Sequence, residues 1–402
     1  MSDRLSDKDF TLIREEMQQE LERLLHFWST EAIDTKNDGF IGRIDHTGKK
    51  DWQAGKGMVL NARILWTFSA AIKFTSNQKY RQYADRAYDY LMKYFWEKEN
   101  GGFIWTVDYK GNPLNTRKQA YALGFGIYGL SEYHMATGHK QSLDCAIKLH
   151  EILEEKYRDK FYDGYIESLN KDWGRMEDMR LSEKDANFPK SMNTHLHILE
   201  PYTNLYRVWP NEELKERIRS LSLIFVNKIL NHRTNHLNLF FEMDWTPKST
   251  LISFGHDIEA AWLLHAAVQV IEDQKLIDEV QKISLKLVEQ TIIEGFDNGS
   301  SIYYEREGND YDTEKHWWPQ AEAMVGLMDA WDICQNEEYL VYIKQFWAFI
   351  KNKLFDMENG EWFWSVDING FSTRGDKLGL WKCPYHSTRA LMEMVYRINR
   401  FD

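Results

Sequence analysis

Apolar and polar positions follow two distinct patterns along this chain. Tyr80, Tyr83, Ala84, Ala87, Tyr88, Leu91 and Tyr94 fall at i, i+3, i+4 and i+7 spacing, with Arg81, Asp85, Arg86 and Asp89 on the other face. Residues three and four apart share one side of a helix, so this stretch predicts an amphipathic helix facing solvent. Other stretches are apolar on most sides: Met58 to Phe74, Gln119 to Tyr133, His195 to Val208, His256 to Val270, Pro319 to Trp331 and Ser387 to Ile398. A helix buried nearly all round belongs in an interior.

Ahead of each interior helix lies a short alternating segment that reads as a strand or extended turn. The six are Gly39–Asp45, Gly102–Asp108, Gly164–Asn170, Asn238–Asp244, Ser301–Glu307 and Glu361–Asp367. Their starts lie 63, 62, 74, 63 and 60 residues apart, and the charged stretch Arg175–Ala186 accounts for the long third interval. Six copies at near-constant spacing are a repeat architecture. Two helices per repeat, one half-exposed and one enclosed, make twelve, and such pairs bury their apolar faces only by stacking on neighbours. An open solenoid wants polar terminal caps, whereas the sixth repeat is as aromatic as the others. The expected fold is therefore all-α: an (α/α)6 barrel, six inner helices inside six outer ones, forming a single domain over 1–402. The extended segments would gather at one end as the mouth of a pocket.

Composition sharpens this picture. At roughly 150 residues per domain, 402 residues would make two or three domains. With 7 Pro and no Gly/Ser-rich linker, one ring remains the simpler reading. A net charge of −12 disfavours nucleic acid or an anionic membrane as partner. The 16 Trp, 21 Tyr and 21 Phe either build a large core or line a groove for something flat and polar, such as a sugar. Cys145, Cys334 and Cys383 are odd in number and lack CxxC spacing, which supports neither a disulfide framework nor a Cys zinc site. The N-terminus has no apolar h-region, and no run approaches the roughly 18 apolar residues of a membrane span. A monomer in the cytoplasm is expected.

Candidate chemistry appears when the inner-helix starts are aligned. His256 with Glu259, and His386 with Arg389, sit at i and i+3 and so share a face. The same alignment puts Glu259, Glu322, Arg63, Tyr121 and Arg389 at corresponding places. Such groups on buried helices are costly unless paired or functional. The competing reading is a structural ion network. In the third repeat, Asn193-Thr-His195-Leu-His197 offers two histidines on different faces, and spacing alone does not choose between them. His26, His134, His150 and His265 read as hydrogen-bonded core histidines. Trp317 and Trp318 are either packing or a sugar platform. Zinc on His195, His197 and His256 fits by ligand type, but no HxxxH or HExxH spacing supports it. No GxGxxG or GxxxxGK[ST] cradle is present. Neither metal nor cofactor is expected.

Two histidines on opposite walls, an arginine and aromatic platforms suit proton transfer at a carbon next to a carbonyl. An imidazole titrating near pH 6.5 serves as base or acid at neutral pH, and an arginine beside the carbonyl oxygen stabilises an enediolate. Bases on both faces of that planar species invert a stereocentre.

At these residues the sequence resembles the N-acylglucosamine 2-epimerase superfamily, and within it the cellobiose 2-epimerases. The resemblance spans essentially the whole chain. It rests on Asn61-Ala-Arg63, Met192-Asn-Thr-His-Leu-His197, Ser253-Phe-Gly-His-Asp-Ile-Glu259, Lys315-His-Trp-Trp-Pro-Gln-Ala-Glu322 and Trp381-Lys-Cys-Pro-Tyr-His386. It implies an (α/α)6 barrel and cofactor-free epimerisation at C2 of a disaccharide's reducing-end glucose, as in cellobiose or lactose. It further implies His256 and His386 as the acid/base pair, with His197 rather than His195 assisting. Arg63 would hold substrate oxygens, Tyr121, Glu259 and Glu322 would hydrogen-bond the sugar, and Asn193 would belong to the substrate-binding set. Trp317, Trp318 and Trp381 would contact its rings. Members acting on mannose or N-acylglucosamine share much of this set. Two other classes compete: a glycoside hydrolase using Glu259 and Glu322, and a non-catalytic sugar-binding protein.

Overall fold

The computed structural model describes residues 7–400. Twelve α-helices alternate between two shells. The outer shell is α1 (Asp7–Thr30), α3 (Arg81–Tyr90), α5 (Lys140–Ile152), α7 (Glu212–Ile224), α9 (Gln274–Gly295) and α11 (Glu338–Phe349). The inner shell is α2 (Met58–Thr75), α4 (Ala120–Thr137), α6 (Met192–Tyr206), α8 (Phe254–Val270), α10 (Trp317–Cys334) and α12 (Tyr385–Ile398). Each inner helix packs on the next, and α12 packs back on α2. The ring is closed, which makes the fold an (α/α)6 barrel and rules out the open solenoid.

The inner helices are buried because they are covered twice, by their ring neighbours and by the outer shell. In α2 every residue from Met58 to Ile72 is buried. In α3 only Ala84, Ala87 and Tyr90 are buried. Tyr90 lies outside the stripe read from spacing, and its ring lies 4.8 Å from the buried Lys56 ammonium. Tyr83, Tyr88 and Tyr94 of that stripe are only half-buried. Beyond Leu91 the buried position shifts from Tyr94 to Phe95, because the helix widens into a π-turn over Leu91–Phe95.

Each extended segment supplies a short strand that pairs antiparallel with the residues leading into the previous inner helix. Lys56–Gly57 pairs with Thr106–Val107, Lys118–Gln119 with Ser168–Leu169, and Lys190–Ser191 with Phe240–Phe241. Leu251–Ser253 pairs with Glu305–Glu307, and Lys315–His316 with Ser365–Val366. A bridge between Ile44 and Leu378 completes the circle. This collar gathers the N-termini of all six inner helices at one end of the barrel.

Buried ion pairs lock the collar to the outer shell. Lys56, Lys118, Lys190, Lys315 and Lys377 pair with Asp34, Glu97, Asp159, Asp297 and Asp356 at 2.8, 3.3, 2.7, 2.9 and 2.6 Å. Each ammonium also lies within 5 Å of an aromatic ring centre, which favours a cation. The fourth repeat has Ile252 and Asn231 at the corresponding positions and no such pair. Cys145, Cys334 and Cys383 are free thiols. Among the described residues, no helix is long and apolar enough to cross a membrane.

Candidate active site

A cavity of about 410 Å³ opens at the collar end of the barrel. Its wall includes His197, His256 and His386 together with Arg63, Tyr121, Asn193, Glu259, Trp317, Trp318, Glu322 and Trp381. The structure thus brings all of these sequence candidates to one place. Extended segments three to six reach it through Glu167, Leu239, Phe240, Tyr304, Glu305 and Trp364, whereas the first two segments do not. The charged stretch that lengthened the third repeat also forms wall, through Arg180, Ser182, Lys184 and Asp185.

His195 and His197 part company here. His195 is buried outside the cavity wall, with Nδ1 donating to the Ser191 carbonyl at 2.6 Å and Nε2 accepting from the Tyr165 amide at 2.8 Å. Both ring nitrogens are used by backbone, so His195 is a staple and is not available to a metal. His197 faces the cavity, with Nδ1 hydrogen-bonded to Glu200 Oε2 at 3.0 Å. Its backbone departs from helical geometry (φ −88°, ψ 15°). The cause is Pro201 four residues on, which has no N–H and crowds the His197 carbonyl. That freed carbonyl presses on α4 at Gly124, where any Cβ would overlap it.

The two remaining histidines stand on α8 and α12, next-but-one neighbours in the ring rather than on opposite walls as expected. Trp318 of α10 lies between them, its ring 4.7 Å from His256 and 5.4 Å from His386. His256 Nδ1 is bonded to Ser253 Oγ at 2.8 Å. His386 Nδ1 is 2.7 Å from Glu322 Oε1. Glu322 also accepts from Arg389 Nη2 at 2.7 Å and from Trp262 Nε1 at 3.1 Å. An ionised Glu322 accepts from all three, with the proton on His386 Nδ1 and Nε2 left as the basic nitrogen. Burial pushes His256 down to about 3, with His197 adding to the effect. Burial, then Arg63 and Arg389, put His386 well below its usual range. Both imidazoles are neutral at neutral pH.

Arg389 is the hub beneath the cavity. It donates to Glu200, to Tyr385, to Glu259 at 2.8 Å and to Glu322. Against burial, its charge and the His197 hydrogen bond bring Glu200 down to about 2. Burial raises Glu322 in opposition to Arg389. Part of the expected set is therefore an ion network, as the competing reading held. Arg63 is different. It is buried, donates to Tyr121 Oη at 2.8 Å and Cys383 Sγ at 3.5 Å, and leaves Nε without a partner. Among the described residues no carboxylate pairs with it. Its guanidinium lies 4.1 Å from the centre of the Phe125 ring.

Trp317 packs against Trp364 and over Lys382, leaving its indole N–H buried and unpaired. Trp381 is half-buried and packs edge-on against Tyr121. Of the histidines read as core, His265 bonds Asp329 at 2.9 Å and His134 bonds a backbone carbonyl at 3.0 Å. His150 is buried among rings with Nδ1 unpaired. His26 is exposed, because it falls on the solvent side of α1.

Glu200, Tyr385, Glu167 and His316 were missed from sequence. Glu200 was legible, since it repeats the i, i+3 histidine–glutamate pattern of His256 and Glu259. The lysines supply the register that spacing left open. Counting seven residues on from the collar lysines Lys56, Lys118, Lys190 and Lys315 gives Arg63, Phe125, His197 and Glu322. This frame selects His197 over His195. It also corrects Tyr121, which sits one turn nearer the mouth than Arg63, with Phe125 at the equivalent position.

Known proteins resemble this chain over nearly its whole length. Residues 39–390 match the family model described as N-acylglucosamine 2-epimerase. A cellobiose 2-epimerase of Bacteroides fragilis is 45% identical over 96% of this chain and 99% of its own. One of Dictyoglomus turgidum is 40% identical over 97% and 100%. The solved cellobiose 2-epimerase of Bacillus thermoamylovorans B4167 superposes with a TM-score of 0.93 at 36% identity, covering 96% of this chain and all of that one. The chain belongs to the N-acylglucosamine 2-epimerase family and is a carbohydrate epimerase, an isomerase.

Proposed function

We propose that the protein inverts C2 of the reducing-end glucose of β-1,4-linked disaccharides, taking cellobiose to glucosyl-mannose and lactose to epilactose, without a cofactor. It would act as a cytoplasmic monomer, with 1–402 as one catalytic domain. The observation that carries this reading is Arg63, a buried cation with no counter-ion among the described residues, in the same cavity wall as two neutral imidazoles. A buried charge without a partner is expensive. An enediolate oxygen, present only along the reaction path, supplies the missing anion where it lowers the barrier.

After ring opening, one of His256 and His386 removes the C2 proton. Arg63 takes the charge on the cis-enediolate, the other histidine takes up a proton from solvent on Nε2 and delivers it to the opposite face, and the first sheds the C2 proton to solvent. Each imidazole has its Nδ1 fixed by Ser253 or Glu322, which aims Nε2 at the substrate. His197, aligned by Glu200, and Tyr121, Asn193 and Glu259 hold the sugar hydroxyls. Trp317, Trp318 and Trp381 contact its rings. Glu322 is assigned differently from the sequence expectation: its oxygens are taken by protein donors, so it positions His386 rather than binding sugar. The same fact weighs against a hydrolase, which needs both carboxylates free for acid and base or nucleophile work. The disaccharide assignment draws on the cellobiose 2-epimerases named above.

Separate incubations with cellobiose, lactose, mannose and N-acetylglucosamine, read by sugar chromatography, test the assignment. The expected products are the 2-epimers of the two disaccharides, carrying deuterium at C2 when formed in D2O. His386→Asn should abolish turnover. Free monosaccharides, unchanged sugar, or a fully active His386→Asn protein would overturn the proposal.

A further inference from the structure

We infer that Glu259 stands in the resting site as a neutral carboxylic acid whose Oε2–H is the hydrogen-bond donor offered to a substrate oxygen. This rests on the sugar-binding reading above and specifies the charge state it leaves open. Three carboxylates, Glu200, Glu259 and Glu322, surround the single guanidinium of Arg389. Two of them are committed as anions by their donors. Glu200 accepts from His197, Tyr385 and Arg389, and Glu322 from His386, Trp262 and Arg389.

Glu259 has the opposite surroundings. Its Oε1 shares Arg389 Nη2 with Glu322 Oε1, and its Oε2 is buried in the cavity wall with no partner. The charged and titratable groups facing it are Arg389, His386 and Tyr385 from α12, Glu322 from α10, Glu200 from α6 and Tyr121 from α4. With one cation and two anions already in contact, a third buried negative charge has nothing to balance it. Like charges sharing a site keep one proton between them. Burial, then Glu322, accordingly raise Glu259 well above the carboxylate range. An ionised Oε2 would be an acceptor without a donor. A protonated one is a donor awaiting an acceptor, which a sugar hydroxyl or the enediolate oxygen provides. The low-dielectric wall strengthens that bond without adding charge to a site that must also hold an anion.

Infrared spectroscopy of the whole protein at neutral pH tests this directly. The wild type should show the carbonyl stretch of a protonated carboxylic acid, shifted in D2O and absent from Glu259→Gln. Adding cellobiose should move the band as the donor engages. Glutamine keeps a donor and no charge, so Glu259→Gln should retain more than about a tenth of turnover, whereas Glu259→Ala should lose about a hundredfold. Wild-type turnover should fall as pH rises through the ionisation of this acid, and Glu259→Gln should lack that limb. No protonated-acid band difference between wild type and Glu259→Gln, or folded Gln and Ala variants equally inactive, overturns the inference. Because the band is read without turnover, its absence alongside intact epimerisation defeats only the charge state. A protein that shows the band yet epimerises nothing defeats the reaction assignment instead.

Discussion

Replacing Arg389 by Met removes the one cation that three buried glutamates share while keeping much of the side chain's apolar volume. Breaking a buried pair by deleting one partner costs about 3–5 kcal/mol, because the other charge stays behind. Glu200 gives an independent figure. Held near 2 in the fold, against about 4.3 in an unfolded chain, it contributes about 3 kcal/mol at neutral pH, at about 1.4 kcal/mol per unit. That contribution is present above the unfolded value and is lost as pH falls through the folded one. Without Arg389 the sign reverses. Burial now holds the folded value above the unfolded one, so the variant is least penalised in acid and loses stability as pH rises. Its deficit against wild type should be about 3–5 kcal/mol at about pH 7.5. It should shrink towards about pH 5 by up to about 1.4 kcal/mol per unit for each carboxylate that takes a proton. Urea unfolding followed by tryptophan fluorescence at both pH values measures it. A deficit below about 1 kcal/mol, or one as large in acid as at neutral pH, would refute the reasoning.

Gly124→Ala puts a methyl group into the His197 carbonyl that Pro201 leaves free. Overpacking of this kind costs about 1–3 kcal/mol. As α6 carries His197 and Glu200 with it, turnover should fall about a hundredfold for a shift near 1 Å; an unaltered rate would sink this account of the glycine. His195→Gln and His197→Gln should separate staple from site. The first should lower the melting temperature through a buried bond worth about 1–3 kcal/mol while turnover stays within about threefold. The second should do the reverse, and equal loss of turnover in both would contradict the assignment.

Much of the fold was legible because a ring of repeats writes itself into the chain six times. Interior helices need apolar residues on nearly every side, and collar segments need alternation, so both leave local periodic signatures. The principal site residues were legible for a related reason: Arg63, His256, Glu259, Glu322, His386 and Arg389 are polar groups in stretches where burial otherwise excludes them. What failed were relations between repeats. Tyr121 falls one turn off, because apolar spacing alone does not tell Tyr121 from Phe125 as the counterpart of Arg63. Apolar spacing does not rank His195 and His197, which the lysine frame and their partners, Ser191 with Tyr165 against Glu200, tell apart. The stretch Arg175–Ala186 reads only as extra length in the third repeat, since exposed charge and cavity wall look alike in one dimension.

The sequence alone therefore determined that helices pair, that six pairs repeat, and which polar groups lie on buried faces. All of these follow from spacing along one chain. The tertiary structure decided which of those groups share a proton or a counter-ion. Glu200, Glu259 and Glu322 have the same side chain and similar burial, and they differ only in what meets them in the closed ring. One accepts from His197, Tyr385 and Arg389, one from His386, Trp262 and Arg389, and one keeps an oxygen for the cavity. Electrostatic energy falls off with distance in space and not along the chain, so charge states at this site had to wait for the ring to close.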